Sequence, residues 1–369
     1  MKKIMGILLL VISIGAFGNK IEVTSTLVGD GQGNIYWGEN IHQIHPLASV
    51  TKVMTMMVTF DEIAKGKISL ENDVTIKLRA ARVGGSMIPL KVGQVFKLKD
   101  LLKAVGMHSA NNAAYAVAEH VGGTYENFIK MMNDKAKEIG VSEELVFNTP
   151  AGLPTHMTKE KLDTGSAYAM YKVMLEAMKY PEYLQIAETK TALIPGENGE
   201  QINLRNKNNL LGREGIKGLK TGYHTISGFN IVVYNDKDGI RNYYVVFGGK
   251  TAKERDDKVL ELDKKFHENY KNNKILDKNN YLTELKVYEG KMDSAKLYPE
   301  KDLVLVTSKD DDIKIDLEPS EKLEAPLNRD KNYGTYKVYK NGKEVAKGNL
   351  KIKESIERKN LIERIKDRF

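Results

Sequence analysis

The chain has no cysteine in 369 residues. That excludes disulfides, thiol catalysis and cysteine-ligated metal, and leaves a packed apolar core to hold the fold. No histidine pair has the His-x-x-x-His spacing of a zinc-binding helix, so neither metal nor cofactor is expected. The apolar stretch from Ile4 to Phe17 falls short of the roughly 20 residues that a membrane-spanning helix needs. It follows Lys2 and Lys3 and ends in Ala16-Phe17-Gly18, the charged start, apolar middle and small-residue end of a secretion signal. Residues 1–18 are therefore expected to be removed, and an exported protein to begin near Asn19. Charge is not of one sign. The net value is +8, but Lys and Glu are interspersed throughout, which marks a solvated surface, not a nucleic-acid-binding stripe, and a basic exterior suits the anionic envelope of a bacterium.

What is present suits two or three folded units, with 41% hydrophobic and 29% charged residues. Ile21 to Leu27 and Asn34 to Trp37 read as strands joined by Gly29-Asp30-Gly31-Gln32-Gly33. This is a hairpin turn and not a dinucleotide fingerprint, because position 34 is Asn and no helix pattern follows. From Ser49 to about Tyr183 the pattern is mainly helical: Leu101–Val105, Ala113–His120, Phe128–Ile139 and Ala167–Met178. Strands return at Ile231–Tyr234 and Tyr243–Phe247, and a long helix, Ala252–Asn269, follows. A helical block inserted between strands of one sheet predicts a two-layer α/β (α+β) domain over residues 19–271, with its cleft where sheet and helices meet. A polar, turn-prone boundary at Lys271–Asn280 leads to short strands, including the Asn341-Gly342 hairpin, and predicts a small antiparallel β domain over 275–352. Residues 353–369 read as an amphipathic helix with an apolar arc of Leu361, Ile362, Ile365 and Phe369.

Three short fragments occur in order: Ser49-Val50-Thr51-Lys52, Ser109-Ala110-Asn111 and Lys220-Thr221-Gly222. Ser49 stands just before the apolar run Val53, Met54, Met56, Met57, Val58, so it belongs in the first turn of a buried helix. Residues three apart on a helix are neighbours, so the Lys52 amine can reach the Ser49 hydroxyl, beside the free N–H groups of the helix start. That is a nucleophile, a base and part of an oxyanion hole. Any one of these fragments alone reads as a helix cap, a strand end or a loop; their joint order is what carries the chemistry.

On these residues the chain resembles the low-molecular-weight penicillin-binding proteins of the D-alanyl-D-alanine carboxypeptidase family. Phe147-Asn148-Thr149-Pro150-Ala151-Gly152-Leu153 is similar to a Phe-x-Asn-x-x-Gly-Leu segment of that family, and Asn206, Asn208, Leu210 and Leu211 to its Asn-x-Asn-x-Leu-Leu stretch. The β domain and amphipathic tail match its anchored members. Ala110, where Gly is commonest, and Tyr223, where some members have His, depart from the pattern without removing a reacting group. The resemblance implies a transpeptidase/β-lactamase-like fold and a serine carboxypeptidase that removes the last D-alanine from peptidoglycan stem peptides, with β-lactams as inhibitors. It implies Ser49 as acylated nucleophile and Lys52 as general base, Ser109 as a proton relay, and Asn111 as holder of the substrate's backbone amide. Lys220 would supply positive potential and Thr221 a hydroxyl for the terminal carboxylate. Gly222 would let substrate lie against the strand edge, and the backbone N–H groups of Ser49 and Tyr223 would form the oxyanion hole. The alternatives are an endopeptidase or β-lactamase of the same fold, or a non-catalytic wall-binding or β-lactam-sensing protein. A β-lactamase would need a dedicated deacylating Glu, absent from Phe147–Leu153. His45, His108 and His224 are read as structural. The exported enzyme is expected on the outer face of the cytoplasmic membrane, held by the C-terminal helix.

Overall fold

The computed structural model describes residues 21–366. The expected secretion signal and the end of the tail, Phe369 included, lie outside the described residues. Two compact units follow one another: residues 1–236 with 241–262, and residues 237–240 with 263–369.

In the first unit a five-stranded sheet runs in the order Ile216–His224, Gly228–Lys237, Ile240–Gly249, Ser25–Asp30, Ile35–Glu39. The early strand Ser25–Asp30 pairs antiparallel with Ile240–Gly249, Ser25 opposite Phe247 and Asp30 opposite Asn242. Residues 40–215, between the strands Ile35–Glu39 and Ile216–His224, are therefore an insertion into one sheet. Its helices Lys52–Ala64, Leu98–Gly106, Asn111–Val121 and Tyr125–Ile139 extend the expected segments by a few residues at their ends, and Ala167–Ala177 stops one residue short of its expected end. The helix Lys52–Ala64 is buried on nearly every face, as an apolar run interrupted only by Thr55 and Thr59 requires, and both hydroxyls donate to backbone carbonyls. Val53, Met54, Met56 and Met57 join the sheet residues Val232, Val245 and Phe247 in one core, all fully buried.

The second unit is a β domain. A six-stranded sheet carries Thr283–Tyr288, Ser294–Pro299, Gly334–Lys340 and Lys343–Lys351, over a core of Val287, Leu297, Leu323, Tyr336, Val338 and Leu350. Asn341 and Gly342 take the two left-handed positions of their turn (φ 52° and 78°), as an Asn-Gly hairpin demands. Two expectations fail here. The polar run Lys271–Lys274 is not a linker but part of a strand, Lys271–Leu276, paired with Leu303–Thr307. Its first four side chains face water, so it has no apolar alternation to betray it. The tail is not helical from 353 either: Ile352 and Ile356 are core residues, and Ile356 exchanges both backbone hydrogen bonds with Leu327 at 2.9 Å. The helix starts at Leu361, where Asn360 and Glu363 cap each other's backbone N–H at 2.9 and 2.7 Å.

Candidate active site

Ser49 is presented by a sharp local turn. Ala48 before it is left-handed (φ 49°), a conformation costing a non-glycine residue about 1 kcal/mol, and Ala48–Thr51 form a single 3₁₀ turn leading into the helix Lys52–Ala64. Ser49 caps nothing. What holds the turn is Gly152, also left-handed (φ 75°), where a Cβ would lie 1.8 Å from the Ala48 carbonyl oxygen. Only glycine fits there.

Lys52 is fully buried and its Nζ meets three oxygens: Ser49 Oγ at 2.8 Å, Asn111 Oδ1 at 2.7 Å and the Ala151 carbonyl at 2.8 Å. Asn111 is oriented by its Nδ2, which donates to the Gly84 carbonyl at 2.8 Å. A neutral amine has two N–H groups and one lone pair. As an ammonium, Lys52 donates to all three oxygens; in its neutral form Asn111 and Ala151, which present only acceptors, would take both hydrogens and leave the lone pair for the Ser49 hydroxyl. Burial, and then the charge of Lys220, lower the Lys52 pKa well below the usual lysine range, opposed by Asp163. Asp163 is buried behind the site and accepts from Thr51 Oγ1, Thr149 Oγ1 and the backbone N–H groups of Asn148 and Thr149; burial raises it to about 6.

The cavity beside Ser49 has a volume of about 310 Å³ and is lined by Ser86, Ser109, Lys207, Asn209, Thr221, Gly222, Tyr223, Phe229 and Arg255. It contains cations and no carboxylate. Ser109 is left-handed (φ 62°) and nearly buried, and its hydroxyl is not among the partners of Lys52. Asn111 uses one lone pair on Lys52 and one N–H on the Gly84 carbonyl, which leaves one of each for a substrate amide. The strand Ile216–His224 carries a bulge between Gly218 and Lys220, next to the site, where an extra residue re-aims the side chains. Lys220 does not line the cavity. It is buried, donates to the Thr221 carbonyl at 2.8 Å, and is lowered to about 7 by burial, then by Arg255 and Lys207. Thr221 and Tyr223 do line it, Tyr223 stacked on Phe229 with ring centroids 4.1 Å apart. A Cβ on Gly222 would meet the backbone of the nucleophile turn, 3.0 Å from Ser49 N and 2.9 Å from the Leu47 carbonyl. Gly222 thus keeps the Ser49 N–H clear and seats the strand against the turn, which differs from the expected reason of room for substrate.

His45 Nε2 contacts the Ser227 carbonyl at 2.8 Å and His224 Nδ1 accepts from Ser227 N at 3.0 Å, so both brace the sheet beside the site. Sequence reasoning missed Arg255, Lys207 and Asp163. Arg255 is buried in the first turn of Ala252–Asn269 and donates twice to Asp256 Oδ1 at 2.6 and 2.9 Å, but the charged run around it reads as a solvated helix face. Lys207 lies between Asn206 and Asn208, whose side chains turn inward: Asn206 Nδ2 donates to the carbonyls of Ala187 and Thr189, and Asn208 Oδ1 accepts from Leu210 N. Its position inside the Asn-x-Asn pattern was the available signal.

Comparison with known proteins then places the chain. The family profile of D-alanyl-D-alanine carboxypeptidase matches residues 17–251, and that of the penicillin-binding protein 5 C-terminal domain matches residues 270–358. The D-alanyl-D-alanine carboxypeptidase DacF of Bacillus subtilis is 29% identical over 343 residues, 92% of this chain and 87% of that protein. The crystal structure of penicillin binding protein 5 from Haemophilus influenzae, 27% identical, covers 93% of this chain and 100% of its own with a TM-score of 0.68. Penicillin-binding protein D2 from Listeria monocytogenes in its ampicillin-bound form shares the fold over 66% of this chain and 96% of its own, at 23% identity and a TM-score of 0.59.

Proposed function

The chain belongs to the D-alanyl-D-alanine carboxypeptidase family, and we propose that it removes the terminal D-alanine from peptidoglycan stem pentapeptides through an acyl-enzyme at Ser49. The observation that carries this reading is the buried Lys52 amine, its Nζ 2.8 Å from Ser49 Oγ and its pKa lowered by burial. Lys52 takes the Ser49 proton as Oγ attacks the carbonyl of the penultimate D-alanine. The oxyanion is received by the N–H groups of Ser49 and Tyr223, each such donor contributing about 10²- to 10³-fold in rate. The C–N bond then breaks, the proton passes to the departing D-alanine amine, and water hydrolyses the ester with Lys52 again as base. Ser109 is the cavity hydroxyl available to hand that proton on. A β-lactam follows the same first step and stays attached. Release of D-alanine from a pentapeptide, measured together with fluorescent-penicillin labelling, tests the reading; a protein that does neither is not this enzyme.

The terminal carboxylate belongs at the cationic end of the cavity, where Arg255 and Lys207 line the wall, Thr221 offers a hydroxyl, and Lys220 adds potential from behind. Arg255→Gln keeps a donor toward Asp256 and removes the charge. It is expected to lower kcat/KM for a free-acid pentapeptide by about 2 to 4 kcal/mol and to change a C-terminally amidated peptide much less. Equal losses on both peptides would assign Arg255 to the fold instead.

We further propose an exported enzyme, held at the outer face of the cytoplasmic membrane by the segment from Leu361 onward. Leu361 and Ile362 are about two-thirds exposed, and Arg358 and Lys359 precede them. Because Ile352 and Ile356 belong to the β core, the informative truncation is after Asn360. The truncated protein is expected to leave anionic vesicles at low salt while its D-alanine release stays unchanged. Full-length mature protein that ignores such vesicles would refute the attachment.

A further inference from the structure

A second cavity of about 310 Å³ opens in the same unit, between the short helix Leu78–Arg82 and residues 157–160. Arg79 and Arg82 stand on one wall, Glu160 on another, and the stacked rings of Tyr115 and Tyr125 line it between them, centroids 5.4 Å apart. Arg79 lies over the Tyr125 ring at 4.2 Å and reaches Glu126 at 3.2 Å, a partly exposed pair of the weak kind that yields to a competing anion. The Arg82 and Glu160 side chains make no ion pair among the described residues. Opposite charges thus face one recess without neutralising each other.

This cavity adjoins the catalytic one through a single stretch of backbone. Val83 lines the second cavity and Ser86 the first. Three residues of chain span at most about 11 Å. Between them, the Gly84 carbonyl holds Asn111 Nδ2, and a Cβ on Gly85 would come 2.6 Å from that same nitrogen. A Cβ on Gly84 would come 2.9 Å from Met157 Cε, at the lip of the second cavity. Asn111 therefore touches the base, Lys52, with one atom and the partition between the cavities with the other.

The direction of the substrate follows from the charges. With the terminal carboxylate at the Arg255 and Lys207 end, as proposed above, the residues before the scissile bond can leave the catalytic cavity past Asn111, on the side of Arg79, Arg82 and Glu160. The third stem residue is one residue, about 3.5 Å of chain, before the alanine that acylates Ser49, and an extended side chain from it covers the rest of the span. Building on the carboxypeptidase reading, we propose that the second cavity binds the side chain of the third stem residue and selects one that ends in a free amino-acid group, its carboxylate against Arg79 and Arg82 and its ammonium against Glu160. A lysine side chain brings only the ammonium, to two guanidiniums and one carboxylate. An acetylated lysine brings no charge.

Three pentapeptides that differ only at the third residue test this: 2,6-diaminopimelic acid with a free end, lysine, and Nε-acetyl-lysine. The wild type is expected to show a kcat/KM about tenfold higher for the first than for the acetylated peptide, the scale of two partly solvated charge contacts. R82E is expected to bring that ratio close to one and to shift preference toward lysine; R79E is the second variant, at a different point of the same wall. Both ratios compare substrates on one enzyme, so a loss of folded protein cancels. Equal rates on the three peptides, or a ratio unchanged in both variants, would overturn the inference while D-alanine release continued. No release from any of the peptides, with no penicillin label, would instead remove the carboxypeptidase reading, and this inference with it.

Discussion

Ser49→Ala protein is expected to fold like the wild type, take no covalent penicillin label and release D-alanine at least about 10⁶-fold more slowly, the scale of removing a catalytic serine in a protease. The fold survives because the hydroxyl does little for it. Ser49 caps no helix, its contact with the Ala151 carbonyl is long at 3.4 Å, and its remaining partner is Lys52. Losing one such hydrogen bond costs about 1 kcal/mol. Activity does not survive, because among the described residues no other hydroxyl is hydrogen-bonded to the Lys52 amine. Thermal melting, fluorescent-penicillin labelling and a D-alanine assay on one preparation decide the matter. A stable label on folded Ser49→Ala protein would show that the acyl group resides elsewhere.

The second large effect is at Lys52. Lys52→Met keeps the length and apolar stem of the side chain and removes the base, and a rate loss of about 10³-fold or more is expected, with the low end of that range set by general-base contributions alone. Raising the pH should not rescue it, since no group replaces the amine. In the wild type kcat/KM should rise with pH as Lys52 gives up its proton, on a limb well below 10.5, because burial and Lys220 favour the neutral form. A limb near 10.5 would mean that Lys52 is not the base. Stability carries the same signature. A lysine whose pKa is lower in the folded than in the unfolded state leaves the unfolded chain with more bound protons between the two values. Stability therefore rises with pH across that window, from about 7 to 10.5 for Lys220. Lys52→Met should flatten the rise by removing one of the two lysines that produce it.

The site was legible where chemistry is local. Ser49 and Lys52 are three residues apart on one turn, and their meeting needs only helical geometry. Asn111, Thr221, Gly222 and Tyr223 were named because their fragments recur in a known order. Arg255 was not, although it lines the cavity, because a buried arginine and a solvated one look alike inside Lys253-Glu254-Arg255-Asp256-Asp257. Asp163 was passed over for the same reason: an isolated carboxylate shows its role only when Thr51, Asn148 and Thr149 arrive around it from two other segments. Lys220 was read as a source of positive potential, and only the structure shows that its side chain, at the bulge Gly218–Lys220, turns to the Thr221 carbonyl.

The sequence by itself determined the helical block, the strands that flank it, the Asn341-Gly342 turn and the three-residue spacing that brings Ser49 and Lys52 together. Each of these rests on periodicity or on spacing within one element. Tertiary structure alone decided that Ala151 and Asn111 both accept from a fully buried Lys52, that Gly222 and Gly152 must be bare to let two segments close on the Ser49 turn, and that Lys271–Leu276 and Ile356 belong to the β domain. These depend on which distant backbone comes within hydrogen-bonding or van der Waals range. Strand pairing is set by partners tens of residues away, and a buried charge is set by the groups that surround it. Neither leaves a mark in the residues beside it.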